Sequence, residues 1–270
     1  MRNQNQIIKQ AEQFAENGNL SEAKELLLTE GYVKELNEEI QQAYLNLIPI
    51  NSRLENELKT SLKEVFDDDS KKRFNALRYI HRQARRETHK DRKEWLRDPR
   101  TLDILLRVLE AETKENVVAE TAGALSAIAF RYFPDLRIYN ALKNLLDSKN
   151  KEVLYAAIEG VANYPFADKW DVLIPILEKN PTAKIKTVIS TAIMSKNNAL
   201  SDEKKLSLIP PLLNSFEKEK DIETKNRLVN AIAQIGNKSV VERLNELSAK
   251  ESNSMLKERI NSAIEVCREK

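Results

Sequence analysis

The sequence is poor in the residues that most folds use to turn. It has five glycines in 270 residues, none within three positions of another. A β-rich chain needs many more for its turns, and a phosphate-binding loop needs them clustered. A single cysteine, Cys267, excludes an intrachain disulfide and a four-cysteine zinc site. The two histidines, His81 and His89, would lie two turns and ~80° apart on a helix, too far to share a metal, and are expected to be solvated. None of the strings G-x-x-x-x-G-K-[ST], G-x-G-x-x-G, H-E-x-x-H or G-x-S-x-G is present. No enzyme, no cofactor and no metal are therefore expected. Apolar runs never approach the ~18 residues of a membrane span, and the opening MRNQNQIIKQAEQF has no signal-peptide stretch. The expectation is a cytoplasmic protein without a membrane partner.

What is present is charge, at 32% of residues, and it is unevenly placed. Residues 1–70 carry 7 basic and 14 acidic side chains, residues 71–100 carry 12 and 4, and residues 101–270 carry 25 and 24. Three segments follow: acidic N-terminal helical hairpins over 1–70, a basic helical connector over 71–100, and a near-neutral body over 101–270.

The N-terminal segment reads as short amphipathic helices. Ile7, Ile8, Ala11, Phe14 and Ala15 share a stripe, Asn17-Gly18-Asn19 breaks it, and Ser21 is placed to cap the next helix. Tyr32 to Leu47 forms another. Ser52 opens a third, with Leu54, Leu58, Leu62 and Phe66 on one face, and Asp67-Asp68-Asp69 caps the helix that begins near Ser70. Pro99 marks a further start.

From residue 101 the text repeats. A second-helix window places apolar or small residues at positions 1, 5, 8 and 9: Val117, Thr121, Ala124, Leu125; Val153, Ala157, Gly160, Val161; Ile185, Ile189, Ala192, Ile193; Thr224, Leu228, Ala231, Ile232; and Leu256, Ile260, Ala263, Ile264. Position 8 is always Ala or Gly and recurs at spacings of 36, 32, 39 and 32 residues, the periodicity of a helical solenoid. Pro175 and Pro210-Pro211 recur inside the first helices and argue for a built-in kink.

LIPILEKNPTAKIKTVISTAIM and LIPPLLNSFEKEKDIETKNRLVNAIAQIG resemble HEAT repeats of the HEAT/armadillo family, and AEQFAENGNLSEAKELLLTEGY resembles one tetratricopeptide-type hairpin. The likeness covers 101–270 as five hairpins, with DDDSKKRFNALRYI a degenerate sixth. The family's basic residue after position 1 is kept as Lys186, Lys225 and Lys257, and is replaced by Val118 and Leu154. The resemblance implies an all-α, right-handed α-solenoid of stacked antiparallel helix hairpins that holds a partner on its concave face.

Two surfaces are candidates. Positions 3, 7 and 10 of the second helices lie opposite the core stripe. The first four repeats place there Ala119, Gly123, Ser126, Tyr155, Glu159, Ala162, Thr187, Thr191, Met194, Asn226, Asn230 and Ala233, with Phe130 close by; only Glu159 is charged. A solvated face would be rich in Lys and Glu, so either contact with a partner or crowding inside a curved stack selects small uncharged residues. The basic run, Arg82, Arg85, Arg86, Lys90, Arg92, Lys93, Arg97 and Arg100 with Trp95 interleaved, reads as a solvated linker, a dock for an acidic protein, or a phosphate-tracking surface with a stacking ring. The expected partner is another protein or peptide. The rival is nucleic acid, on the pattern of DNA-glycosylase-like stacks, of which Lys169-Trp170-Asp171 is a faint echo.

Overall fold

The computed structural model describes residues 4–27, 52–86, 93–131, 135–195 and 200–270, together with Glu39, Ala43 and Leu47. Among them every regular element is helical: α1 (Gln4–Glu16), α2 (Leu20–Leu26), α3 (Ser52–Leu62), α4 (Ser70–Ala84), α5 (Pro99–Ala111), α6 (Glu115–Arg131), α7 (Leu136–Lys143), α8 (Lys151–Asn163), α9 (Lys169–Glu178), α10 (Ala183–Met194), α11 (Asp202–Lys218), α12 (Ile222–Ile235), α13 (Val241–Lys250) and α14 (Ser254–Glu269). Short 3₁₀ turns precede α5 and α13. The chain divides into two compact units, residues 1–161 and 162–270, with the boundary in the last turn of α8.

Helix boundaries follow side-chain chemistry. Asp69, Asp98, Asp135, Asp221 and Asn253 each accept a backbone N–H of the first turn of the helix they precede, satisfying donors that have no partner inside the helix. Gly18, at φ +81°, ends α1: its N–H and that of Asn19 return to Ala15 and Phe14, a left-handed C-cap that favours glycine. The start of α2 departs from expectation, because Asn19 rather than Ser21 occupies the cap position. Phe66 also departs. α3 stops at Leu62, Phe66 is exposed and Val65 takes the buried place. The helix expected over Tyr32–Leu47 lies outside the described residues apart from single positions.

From α3 onward the helices alternate in role. In unit 1, α3 pairs with α4 and α5 with α6, while α3 packs on α5 and α4 on α6. In unit 2, α9 pairs with α10, α11 with α12 and α13 with α14; α9 lies against α11, α10 against α12 and α12 against α14. First helices thus stack on first helices and second on second, as in a repeat stack. Every residue at positions 1, 5, 8 and 9 of the five predicted second helices is buried. The expected connector over 71–100 is not one element. Residues 70–84 form α4, the second helix of a sixth hairpin packed on α6, and α4 ends at Ala84 inside the basic run.

A recurrent polar link joins successive hairpins. Glu112, Glu219 and Glu251 close the first helices α5, α11 and α13. One oxygen of each carboxylate accepts backbone N–H groups of the turn that follows, at 2.8–3.0 Å. The other oxygen takes a cation from the preceding second helix: Arg73 at 2.7 Å, Lys186 at 2.9 Å and Lys225 at 3.0 Å, with Arg73 Nη2 also donating to the first oxygen of Glu112 at 3.1 Å. Arg73 and the turn N–H groups hold the Glu112 carboxyl below its usual range. Where the repeat has Val118 in place of the basic residue, α7 is tied instead by Arg137, which binds both its own cap Asp135 and Asp103 of α5.

Replacing Glu112 by Gln weakens the charge-assisted bond to Arg73, itself largely buried. The expected cost is about 2 kcal/mol, read by chemical denaturation at neutral pH. An exposed substitution such as Glu110→Gln, on the same helix, should leave the midpoint unchanged.

Candidate partner-binding surfaces

The uncharged set divides by burial. Gly123, Ser126 and Ala162 are sealed inside the stack rather than presented. Ser126 is the correction among the candidate groove residues. It is 1% exposed and faces Gly160 of α8, where an added Cβ would stand 3.3 Å from its Cβ and Oγ and would overlap the Leu142 δ-methyl. Position 10 is therefore partly a packing position, and crowding explains the small residues there.

Gly123 supports a second close approach. An added Cβ would come to 2.5 Å from the His81 ring. His81 is not the solvated residue expected from its basic context; it is half-buried and its Nδ1 lies 2.8 Å from Glu120. One turn on, Arg85 reaches past α6 to Glu159 of α8, at 2.5 and 2.7 Å. The single charged member of the predicted groove is thus neutralised within the chain. Tyr155 donates to the same carboxylate at 3.4 Å, and burial together with that negative charge raises its phenol pKa.

The remaining candidates are open to different degrees. Phe130, at the end of α6, is 62% exposed, with the Arg131 guanidinium 5.8 Å from its ring centroid. In unit 2 the paired helices α10 and α12 present Thr187, Met194, Asn226 and Asn230 half-buried and Thr191 exposed. Thr187 and Thr224 hydroxyls meet at 3.4 Å, and Thr191 donates to the Thr187 carbonyl at 2.8 Å. The carboxamides of Asn226 and Asn230 have no hydrogen bond among the described residues.

The basic run separates into two parts. Arg82, Arg85 and Arg86 stand exposed at the C-terminal end of α4. The part before α5 is structural. Trp95 is 2% exposed, so it offers no ring to a base, and its carbonyl accepts the Thr101 hydroxyl at 2.6 Å. Arg100 grips the buried cap Asp98 through Nε and Nη2 at 2.9 and 2.7 Å. Lys93 is half-buried, Arg97 closes the 3₁₀ turn, and Lys90, Arg92 and His89 lie outside the described residues. Two further arginines join Arg82 and Arg86: exposed Arg78, one turn earlier on α4, and half-buried Arg131 of α6, whose Nη1 lies 3.5 Å from the Arg86 carbonyl. The i, i+4 spacing 78–82–86 is a signal the sequence carried; the approach of Arg131 is not.

The Lys169-Trp170-Asp171 string is no open site. Lys169 is 1% exposed and donates to the carbonyls of Ala162 and Tyr164 at 3.0 and 2.6 Å, Trp170 is fully buried, and exposed Asp171 pairs with Lys204. Cys267 is likewise buried, and that burial raises its thiol pKa.

No protein-family model matches the sequence, and no curated protein matches it. Solved structures do. A designed armadillo repeat protein shares 19% identity, with 78% of this chain and 100% of that chain covered at a TM-score of 0.58. Two engineered proteins are similar, one at 22% identity over 78% of this chain and 96% of its own with a TM-score of 0.58, another at 21% over 80% and 100% with a TM-score of 0.60. The chain has the all-α fold of HEAT/armadillo-type helical repeats, a solenoid of stacked hairpins. Among the described residues no helix is long and apolar enough to cross a membrane.

Two outcomes test these placements. Gly123→Ala should destabilise unit 1 by about 1–2 kcal/mol through overpacking against His81. Much of that loss should disappear in a His81→Ala background, as a double-mutant cycle reads. Burial lowers the Lys169 ammonium to about 8 from 10.5. Between those values the unfolded chain binds a proton that the native chain does not, so this group's contribution to stability rises with pH across that window and is least favourable below it. Relative to Lys169→Met, the wild type should gain about 1 kcal/mol per pH unit there, measured by denaturation at pH values on either side of 8.

Proposed function

We propose that this chain is a partner-holding repeat scaffold that binds another protein or peptide through the exposed faces of its second helices. The observation that carries the reading is the α10–α12 face. In a chain where 32% of residues are charged, Thr187, Thr191, Met194, Asn226 and Asn230 form a surface without a charge. Asn226 and Asn230 each bring a free donor and a free acceptor on one helical face, which suits the alternating donors and acceptors of a polypeptide backbone. Met194 adds an adaptable apolar contact. Unit 1 has uncharged side chains of its own on its second helices, Tyr155 and exposed Phe130, and aromatic side chains are enriched in protein interfaces. The armadillo-type fold supports a scaffold role. The burial of Trp95, the ring best placed among the arginines to stack a base, speaks against nucleic acid.

A photo-crosslinking residue at Asn230 or Thr191, expressed in native cells, should capture a discrete polypeptide that the same residue at Glu178, on a first helix, does not. Equal capture from both positions, or none, overturns the reading. Nucleic acid is tested in parallel by salt titration: a log–log slope near zero removes it, and a steep negative slope favours it.

A further inference from the structure

The exposed face of α4 carries charge of one sign. Its 15 residues, SKKRFNALRYIHRQA, contain no carboxylate, in a chain that holds 42. Solvated helices ordinarily intersperse both signs. Here Arg78 and Arg82 stand four residues apart on α4, and Arg86 follows four residues later, just past the helix's C-terminal end, all exposed. Like charges at that spacing repel one another. Elsewhere in the unit, Arg73, Arg85 and Arg137 each hold a carboxylate. Arg78, Arg82, Arg86 and Arg131 form no ion pair among the described residues. Tyr79, 47% exposed, lies on the side of Arg82 and Arg86 at steps of three and seven residues, and Phe130 stands next to Arg131.

We propose that Arg78, Arg82 and Arg86, completed by Arg131, form the docking site for an extended acidic peptide of the partner. This deepens, and rests on, the partner-holding reading. The spacing carries it. Four residues of helix advance about 6 Å, while alternate residues of an extended peptide lie about 6.7 Å apart on one side. Carboxylates at alternate residues therefore meet Arg78 and Arg82 with little drift, and Arg86, just past the helix end, continues the positive row. Guanidinium forks match carboxylates in bidentate pairs, and Tyr79 and Phe130 offer apolar contact at the margins. A peptide fits better than a nucleic acid because the helical part of the stripe, Arg78 to Arg82, is only about 6 Å long. Beside it stand the carboxylates of Glu120 and Glu159, bound to His81 and Arg85, so a longer phosphate track meets negative charge.

The test is fluorescence anisotropy with the full chain and three tagged probes: a short peptide alternating Glu and Ser, its Lys–Ser counterpart, and a single-stranded thymidine oligonucleotide. The Glu–Ser peptide should bind, the Lys–Ser peptide should not, and Arg82→Gln/Arg86→Gln should weaken binding about tenfold. These residues are exposed and mutually repelling, so the variant should melt no lower than the wild type; Arg78→Gln gives an independent, smaller loss. Absence of Glu–Ser binding, loss-free binding by both variants, or equal binding of the two peptides overturns the proposal. An oligonucleotide that binds more tightly than the peptide and is lost with the same variants overturns it in favour of nucleic acid. Asn226→Ala/Asn230→Ala should leave Glu–Ser binding intact. If cross-linking at Asn230 persists while the arginine variants change nothing, the acidic dock fails and the scaffold reading stands.

Discussion

Second helices approach their neighbours so closely that one methyl group decides whether they fit. At Gly160 an added carbon would overlap Leu142 and press on Ser126, and at Gly123 it would meet the His81 ring. Gly160 holds position 8 of its repeat, and the alanines at position 8 of the other repeats are buried. Close approach brings the large residues at position 9 into the grooves beside them, which closes the core of each hairpin against the next. The hairpins have little else to stabilise them singly, since each buries only part of its apolar surface alone.

Much of this was legible because the repeat is written in burial, and burial leaves a periodic trace. Positions 1, 5, 8 and 9 could be read from the text and all proved buried. Position 10 was misread for a physical reason. A helix wheel divides residues by direction, and it places Ser126 away from the stripe. The helix has a second neighbour on that side, and no wheel contains it. The same limitation hid His81 and Arg85: their partners Glu120 and Glu159 are 39 and 74 residues away, and only stacking brings them together. The basic run failed differently. Arg100 and Trp95 look like surface chemistry in composition, yet one grips a buried cap and the other fills a gap beneath α3 and α5.

The glutamate links show how a charged chain can stack at all. A carboxylate at the end of each linked first helix satisfies turn N–H groups with one oxygen and binds a cation of the previous hairpin with the other. The basic residue that the resemblance singled out after position 1 thereby acquires a role at Lys186 and Lys225, and its loss at Val118 coincides with a different tie, Arg137 to Asp103. The acceptor glutamates had no evident signal, because Glu is common at helix ends in this sequence.

First helices range from 8 residues in α7 to 17 in α11, whereas the predicted second helices stay between 12 and 17. The stack's register is set by second-helix crossings, so differences in length are absorbed on the other side. That tolerance gives each unit two surfaces with different freedom to evolve: a register-keeping face where a binding pattern can persist, and an outer layer where residues can be gained or lost without moving it.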